Sequence, residues 1–230
     1  MSKGWLVGGV AVSLSLLSML HLGAAEEPAV SSRAGSTIET DFLERPWPKQ
    51  WVRNLEVGRD EVRWRQRASR KGGIFAGVRF TAPLPREQVW ELANDYSDIG
   101  KTTPGVTAVR FLKQDSNHQV IQIDVKVLWK TLRLNFEVEQ DPPKIVRFRL
   151  RNQALGEYRG VCVFEDPSNS AGPGQPKATT VELSTWLKPN RPIPMGLLLV
   201  VERMTFLQGV KSFLETCETH PTATASEPRR

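Results

Sequence analysis

The sequence predicts an α+β domain: a curved antiparallel sheet of about seven strands wraps around one long C-terminal helix, with a short helix after the first strand. Three patterns in the 230 residues indicate this fold. Consecutive short segments alternate apolar and polar side chains, which is typical of antiparallel strands with one buried face. One early segment has helical spacing, and so does the C-terminal region. Because the apolar face of the sheet must be covered, we expect the long helix to cover it.

The domain opens with two alternating segments and a short helix. Residues 62–66 and 74–80 place apolar side chains on one side, and the glycine pair between them predicts a turn. Residues 86–96 follow Pro85, which suits a helix start, and their apolar side chains cluster at helical spacing. The sequence therefore predicts a strand, with a further alternating segment before it, and then a short helix.

Six further strands and a long helix complete the predicted domain. The strands are predicted at residues 106–112, 121–129, 132–139, 146–151, 157–165 and 179–187. Residues 195–218 contain no proline and predict an amphipathic helix of about six turns. Its recurring apolar side chains are Leu197, Val200, Met204, Leu207, Val210, Leu214 and Cys217.

The first 25 residues have the layout of a secretory signal peptide. Lys3 precedes an apolar stretch at residues 5–20, and small residues lead to a predicted cleavage after Ala25. The alternative is a retained N-terminal membrane anchor that leaves the protein facing the periplasm, although glycines and serines weaken the stretch as a span. We expect a soluble chain in an exported compartment, most simply a bacterial periplasm.

The mature chain divides into three parts. Residues 26–57 are predicted to be a linker or N-terminal strap, residues 58–218 one domain, and residues 219–230 a disordered tail. The formal charge of +6 is too small to indicate nucleic acid as a partner. Two cysteines and three histidines exclude a disulfide scaffold and a Cys/His zinc cluster. For Cys162 and Cys217, two separate buried thiols are favoured over a disulfide.

Residues 82–101 carry a family resemblance. They read APLPREQVWELANDYSDIGK and are followed by Pro104, Gly105 and Val106. This order of apolar strand, proline, VW-x-L-x-x-D-Y and PGV resembles the opening of the START/SRPBCC superfamily, and within it the polyketide cyclase/dehydrase and coenzyme-Q-binding-protein-like group. The resemblance covers about residues 56–218 and implies a helix-grip fold with a deep pocket for lipids, sterols, quinones or polyketides. The superfamily contains carriers, ligand sensors and enzymes, so the fold alone does not decide the function.

The pocket-lining residues are predicted from the alternation of the strands and the spacing of the last helix. The set is Tyr96, Pro104, Ile123, Val125, Val127, Trp129, Leu134, Phe136, Phe148, Phe164, Met195, Leu198, Val201, Met204 and Thr205. About half of these are expected to be plain core, because packed interiors contain few voids. Tyr96 has the alternative role of fixing the turn after the short helix. The thioethers of Met195 and Met204 suit a wall that adapts to varied ligands.

Basic residues cluster on the polar face of the predicted sheet. One group is Arg63, Arg65, Arg67, Arg70 and Lys71, and another is Lys144, Arg147, Arg149, Arg151 and Arg159. Such runs usually form a solvated face. A second interpretation is that Arg147, Arg149, Arg151 and Arg159 face anionic lipid headgroups of a membrane.

No catalytic, cofactor-binding or metal-binding residue is predicted, and an enzyme is the less favoured interpretation. The histidines fall in the signal, at a hairpin tip and in the tail, so none is expected inside the fold for acid–base chemistry. The sequence also lacks the hydrolase, metalloprotease and phosphate-loop motifs. Asp124 is predicted to point outward.

The sequence therefore predicts an exported, monomeric protein that binds a hydrophobic small molecule in an internal cavity and shields it in transit. The ligand is expected to enter between residues 95–106 and 192–201, where Pro/Gly joints allow the mouth to open. No cofactor is expected. One alternative is a cyclase or dehydratase acting on a polyketide-like substrate. A second is a ligandless module that binds another envelope protein.

Overall fold

Nine strands and two helices make up the part of the chain that the computed structural model describes. The described residues are 38–40, 43, 53–57, 60–70, 72–96, 106–127, 130–151, 156–166, 178–190 and 192–220. The strands are β1 (Arg53–Val57), β2 (Asp60–Ala68), β3 (Ile74–Ala82), β4 (Val106–Gln114), β5 (His118–Val127), β6 (Lys130–Asp141), β7 (Ile145–Leu150), β8 (Gly156–Glu165) and β9 (Thr179–Pro189). The helices are α1 (Arg86–Asn94) and α2 (Met195–Thr219). The predicted signal peptide and most of the predicted tail lie outside the described residues.

All nine strands form one antiparallel sheet in the order β1-β2-β3-β9-β8-β7-β6-β5-β4. The predicted α+β architecture is confirmed, although the described sheet has more strands than the expected seven. Strand β1 lies in the segment predicted to be a strap, and it pairs with β2 through Leu55 opposite Val62. Its five residues are too few to show a period of two, which explains why the sequence pattern did not reveal it.

Both helices pack on the apolar face of the sheet, called the inner face below. Aromatic rings join them to it edge to face: Phe206 of α2 lies 5.3 Å from Trp64 of β2, centroid to centroid. Trp90 of α1 lies 5.3 Å from Phe164 of β8. Burying large aromatic side chains in this way is a major contribution to stability.

Helix α2 is held at its start as well as along its length. The Pro194 carbonyl accepts hydrogen bonds from the backbone N–H groups of Leu197 and Leu198. On the sheet side, Gln66 Nε2 of β2 donates to the Leu199 carbonyl at 2.7 Å. In the described part of the chain, neither helix combines the length and apolarity needed to cross a membrane.

A short N-terminal segment lies against the opposite face of the sheet, called the outer face. Ile38, Thr40 and Leu43 are all buried there. The Ile38 backbone N–H donates to the Glu139 carboxylate at 3.1 Å, and Arg147 Nε donates to Thr40 Oγ1 at 3.1 Å. Part of the segment predicted to be a strap therefore covers the sheet.

Arg65 is buried beneath this segment, although the sequence analysis placed it on a solvated face. Its side chain is 1% exposed. Gly77 lies directly opposite Arg65 on β3, and Ser184 lies opposite Gly77 on β9. Because Gly77 has no side chain, the guanidinium crosses β3 and donates to Ser184 Oγ at 2.6 Å. It also donates to the Leu43 carbonyl at 3.2 Å, which closes the N-terminal segment over it.

The lowered pKa of Glu137 on β6 predicts that the protein loses stability in acid. Burial alone would raise the pKa of its carboxyl, but hydrogen bonds from Arg149 (2.7 Å) and His118 (2.9 Å) lower it below the ordinary value of 4.5. A lowered folded-state pKa contributes stability above the unfolded value, and this is lost as the pH falls through the folded value. In Glu137→Gln, we expect the free energy of unfolding to depend less on pH below 4.5.

Urea denaturation at several acidic pH values measures this effect. Glu61→Gln is the control, because its carboxyl is 60% exposed on β2. An unchanged acid dependence in Glu137→Gln would contradict the prediction.

Candidate functional site

The inner face of β5–β8 is apolar, as the alternation predicts. Six predicted pocket residues lie on it, each no more than 2% exposed: Ile123, Val125, Leu134, Phe136, Phe148 and Phe164. They form one continuous cluster with the apolar side chains of β2, β3, β9 and the two helices. The interior of the domain is therefore a broad apolar surface enclosed by the sheet.

Helix α2 covers this interior. Its predicted pocket residues differ in burial according to the side of the helix on which they lie. Leu198 and Thr205 are buried, and Met195 and Val201 are half-buried. Met204, predicted to line the pocket, is 63% exposed, so that prediction is wrong. It stands two positions from each of the buried Glu202 and Phe206, about 200° around the helix, so it points outward.

Three other predicted pocket residues cannot be placed. The residues that lie outside the described part of the chain are Pro104, Trp129 and the side chain of Val127.

Tyr96, also predicted to line the pocket, is described and is 2% exposed. Its hydroxyl donates to Asn94 Oδ1 at 2.9 Å. Burial raises the pKa of Tyr96 well above its ordinary value, so the phenol stays protonated. Its contacts with Asn94 and with the Phe111 ring fix the end of α1.

A polar cluster interrupts the apolar interior. Glu202 of α2 is 0% exposed, and its Oε1 accepts a hydrogen bond from Thr185 Oγ1 of β9 at 3.3 Å. Tyr158 of β8 lies beside them and is 1% exposed. Burial, and then the negative charge of Glu202, raise the pKa of the Tyr158 phenol well above its ordinary value. The phenol is therefore a neutral hydrogen-bond donor inside the fold.

The sequence analysis missed this polar cluster, because it assigned only apolar residues to the buried face of the helix. A usable signal was present: Glu202 follows Leu198 by four positions and precedes Phe206 by four. Residues four apart share a helix face, so Glu202 belongs to the buried face despite its charge. Tyr158 also had a signal, because it stands between the charged residues Glu157 and Arg159 and is therefore on the apolar side of β8.

Three of the four predicted membrane-facing arginines make contacts within the protein. Arg149 pairs with Glu137 at 2.7 Å, and Arg159 pairs with Glu157 at 3.1 Å. Arg147 donates to the N-terminal segment. All three lie on the outer face, where acidic residues of neighbouring strands and the N-terminal segment meet them. Docking of this face on a membrane stays a prediction.

Neither cysteine is bonded to the other. Cys162 on β8 and Cys217 on α2 are free, buried thiols. Burial raises the pKa of both, that of Cys217 to about 12, so both are unreactive at neutral pH. In the described chain, no group of three or more His, Cys, Asp or Glu side chains is placed to hold a metal ion.

Comparison with solved structures shows the same fold. The STAR-related lipid transfer protein from Xanthomonas axonopodis (fragment 25–204) matches 74% of this chain and 99% of its own, with a TM-score of 0.56 and 12% identity. A START superfamily protein from Mycobacterium smegmatis matches 64% of this chain and 98% of its own, with a TM-score of 0.52 and 11% identity. The predicted helix-grip architecture is confirmed by these likenesses.

The family is shown by a sequence match. Comparison with curated proteins finds no match. Residues 82–214, more than half of the chain, match the model of a family described as polyketide cyclase/dehydrase and lipid transport. The match begins at the last residue of β3 and extends through most of α2, so it includes the inner face of β4–β9. The chain therefore belongs to the polyketide cyclase/dehydrase and lipid transport family.

Proposed function

We propose that this protein binds a hydrophobic small molecule between the inner face of the sheet and α2, and carries it through the periplasm. The observation that carries the proposal is the apolar inner face of β5–β8. Close backbone contacts of α2 with the sheet are concentrated on β1–β3, at the other end of the strand order. The family's association with lipid transport supports the same conclusion.

Burial of the ligand is sufficient to drive this binding. Each CH₂ group moved from water to an apolar interior contributes about 0.8 kcal/mol, so a long acyl or isoprenoid chain needs no charged contact. Phenylalanine rings at positions 136, 148 and 164 supply broad contact area on the inner face.

The start of α2 is the proposed edge of the entrance. Leu197 and Val200 are 40% and 55% exposed there, although both are large apolar residues. Two prolines precede the helix, and Gly196 has open space where a side chain would be. A movement of this first turn away from β2 would open the interior. The hydrogen bond from Gln66 to the Leu199 carbonyl would have to break for this movement to occur.

Native mass spectrometry of protein purified from the cells that make it is the direct test. Under this proposal an apolar molecule co-purifies, is released by organic solvent, and gives one or a few related masses. Protein that carries no such molecule, and that takes up none from lipid extracts of the same cells, would contradict the proposal.

A substitution on α2 tests where the molecule binds. Val201 is half-buried on α2, close to the proposed entrance and four positions before the buried Thr205. In Val201→Trp, we expect the fraction of protein that carries the co-purified molecule to fall about tenfold, because the indole occupies the binding space. The bound fraction is read from native mass spectra.

Met204→Trp is the matched control, because it adds the same ring one turn away on the exposed side of the helix. Its bound fraction should equal that of the wild type. Thermal unfolding of both variants separates loss of binding from loss of fold. Equal bound fractions in the two variants would place the ligand elsewhere.

The alternative function is a cyclase or dehydratase acting on a polyketide-like substrate. The buried carboxyl group of Glu202 is the observation that favours it, because such chemistry requires an acid–base group in the interior. Turnover of a linear polyketide-like chain by the wild type, abolished in Glu202→Gln, would establish the enzyme.

A further inference from the structure

We propose that Tyr158, Thr185 and Glu202 form an anchor for a single hydroxyl group, so that the ligand is a neutral long-chain alcohol or an alkyl phenol. This inference rests on the proposed function, since it names the class of molecule bound there. The three residues come from β8, β9 and α2, which makes the anchor a product of the tertiary fold.

The sheet register brings the first two residues together. Tyr158 lies opposite Leu187, and Gly160 lies opposite Thr185, so Tyr158 and Thr185 are diagonal neighbours on the inner face. Thr185 then meets Glu202 of α2 through the hydrogen bond described above. Gly160 lies opposite Thr185, and the Phe148 ring fills the space where its side chain would be and lies 6.0 Å from the Tyr158 ring, centroid to centroid.

The hydrogen-bond donors and acceptors of Tyr158, Thr185 and Glu202 indicate which polar group of a ligand would bind there. The Tyr158 hydroxyl is buried and makes no hydrogen bond of full geometry within the described part of the chain, although the Thr185 hydroxyl lies near enough to offset part of the rise in its pKa. A buried donor in this state costs free energy, and native proteins rarely tolerate one without a reason. Thr185 Oγ1 donates to Glu202 Oε1, and the buried Glu202 Oε2 is the acceptor atom that a ligand hydroxyl would meet. A ligand hydroxyl accepts from Tyr158 and donates to Glu202 at the same time.

Other ligand head groups satisfy fewer of these positions. A ketone or ester oxygen accepts from Tyr158 but offers nothing to Glu202. A fatty-acid carboxylate would bring a negative charge into a dry interior beside the buried Glu202 carboxyl group, which is strongly unfavourable. A hydrocarbon leaves the Tyr158 donor unsatisfied. The anchor therefore selects an alcohol among apolar molecules of equal length.

The test compares three probes of equal chain length: dodecanol, dodecane and dodecanoate. Dissociation constants are measured by isothermal titration with the intact wild-type protein. We expect dodecanol to bind about tenfold more tightly than dodecane, as two hydrogen bonds to buried groups would give, and dodecanoate to bind most weakly. In Tyr158→Phe and in Glu202→Gln, the preference for dodecanol over dodecane should fall to less than about threefold.

Glu215→Gln is the control for Glu202→Gln, because it removes a carboxylate from the exposed side of the same helix. Its preference for dodecanol should match the wild type. Thermal unfolding checks the fold of each variant, and Tyr158→Phe removes only the phenolic hydroxyl. Wild-type protein that binds dodecane and dodecanol equally would overturn the anchor alone. Protein that binds none of the three probes would overturn the proposed function, and the anchor with it.

Discussion

Replacing Gly156 with alanine is expected to lower the free energy of unfolding by about 3–5 kcal/mol, a large part of the 5–15 kcal/mol typical of a domain. Gly156 begins β8 with a backbone φ of +119°, which L-residues rarely adopt. An added Cβ would also clash with the Lys188 carbonyl and lie 2.8 Å from Pro189 Cα. Because both neighbours are backbone atoms paired in the sheet, neither can move without breaking the β8–β9 register.

Gly72→Ala separates the strain of a positive φ from the clash of an added Cβ. Gly72 also has a positive φ, +78°, but an added Cβ there has no neighbour within 4 Å. It should cost about 1–2 kcal/mol, the strain of the backbone conformation alone. Urea denaturation with linear extrapolation measures both variants. A loss in Gly156→Ala no greater than that in Gly72→Ala would show that the β8–β9 contact yields easily.

Replacing Arg65 with methionine is expected to lower the free energy of unfolding by about 2–4 kcal/mol. The guanidinium is bonded to Ser184 Oγ and the Leu43 carbonyl, pairs with Glu182 at 3.3 Å, and lies 4.9 Å from the Phe75 ring centroid. Methionine keeps most of the volume but leaves these polar groups without their donor. Arg65→Lys should lose an intermediate amount, because one ammonium cannot reproduce the planar fork.

The same substitution should release the N-terminal segment. The Leu43 carbonyl loses its bond to the sheet, so limited proteolysis near residue 43 should become faster in Arg65→Met. Arg63→Met is the control, since Arg63 is two positions earlier on the same strand and 55% exposed. Its stability should change by less than about 0.5 kcal/mol. Equal losses in the two variants would mean that burial of Arg65 contributes nothing.

Most strands were predictable because a period of two survives wherever one face is apolar and the other polar. Strand β6, in which Leu134 and Phe136 alternate with Asn135 and Glu137, illustrates this. Helix α2 was predictable in extent, since it begins at Met195 as expected and ends at Thr219, one residue beyond the predicted end. Patterns of this kind depend on neighbours in sequence, which is why they can be recognised without the structure.

Three residues were misplaced, and the causes differ. Arg65 is buried because a glycine lies opposite it on another strand and a distant segment covers it. Glu202 is buried because Thr185, 17 positions earlier, meets its carboxylate. Met204 was assigned inward from an apolar spacing that it shares with Leu197 and Val200, and all three are exposed. Only the structure could place Arg65, whereas the sequence contained the helical phase that places Glu202 and Met204.

The position of β9 between β3 and β8 has a consequence for how the chain folds during synthesis. Strands β4–β8 form by successive hairpins, but β3 has no neighbour on one side until β9 arrives, and Thr179 Oγ1 meets its partner, the Leu84 carbonyl, across 95 positions. A growing chain that lacks β9 therefore has two sheets, each with an unpaired edge. Such edges pair readily with other chains, so the nascent protein is most prone to aggregation just before its last strand emerges.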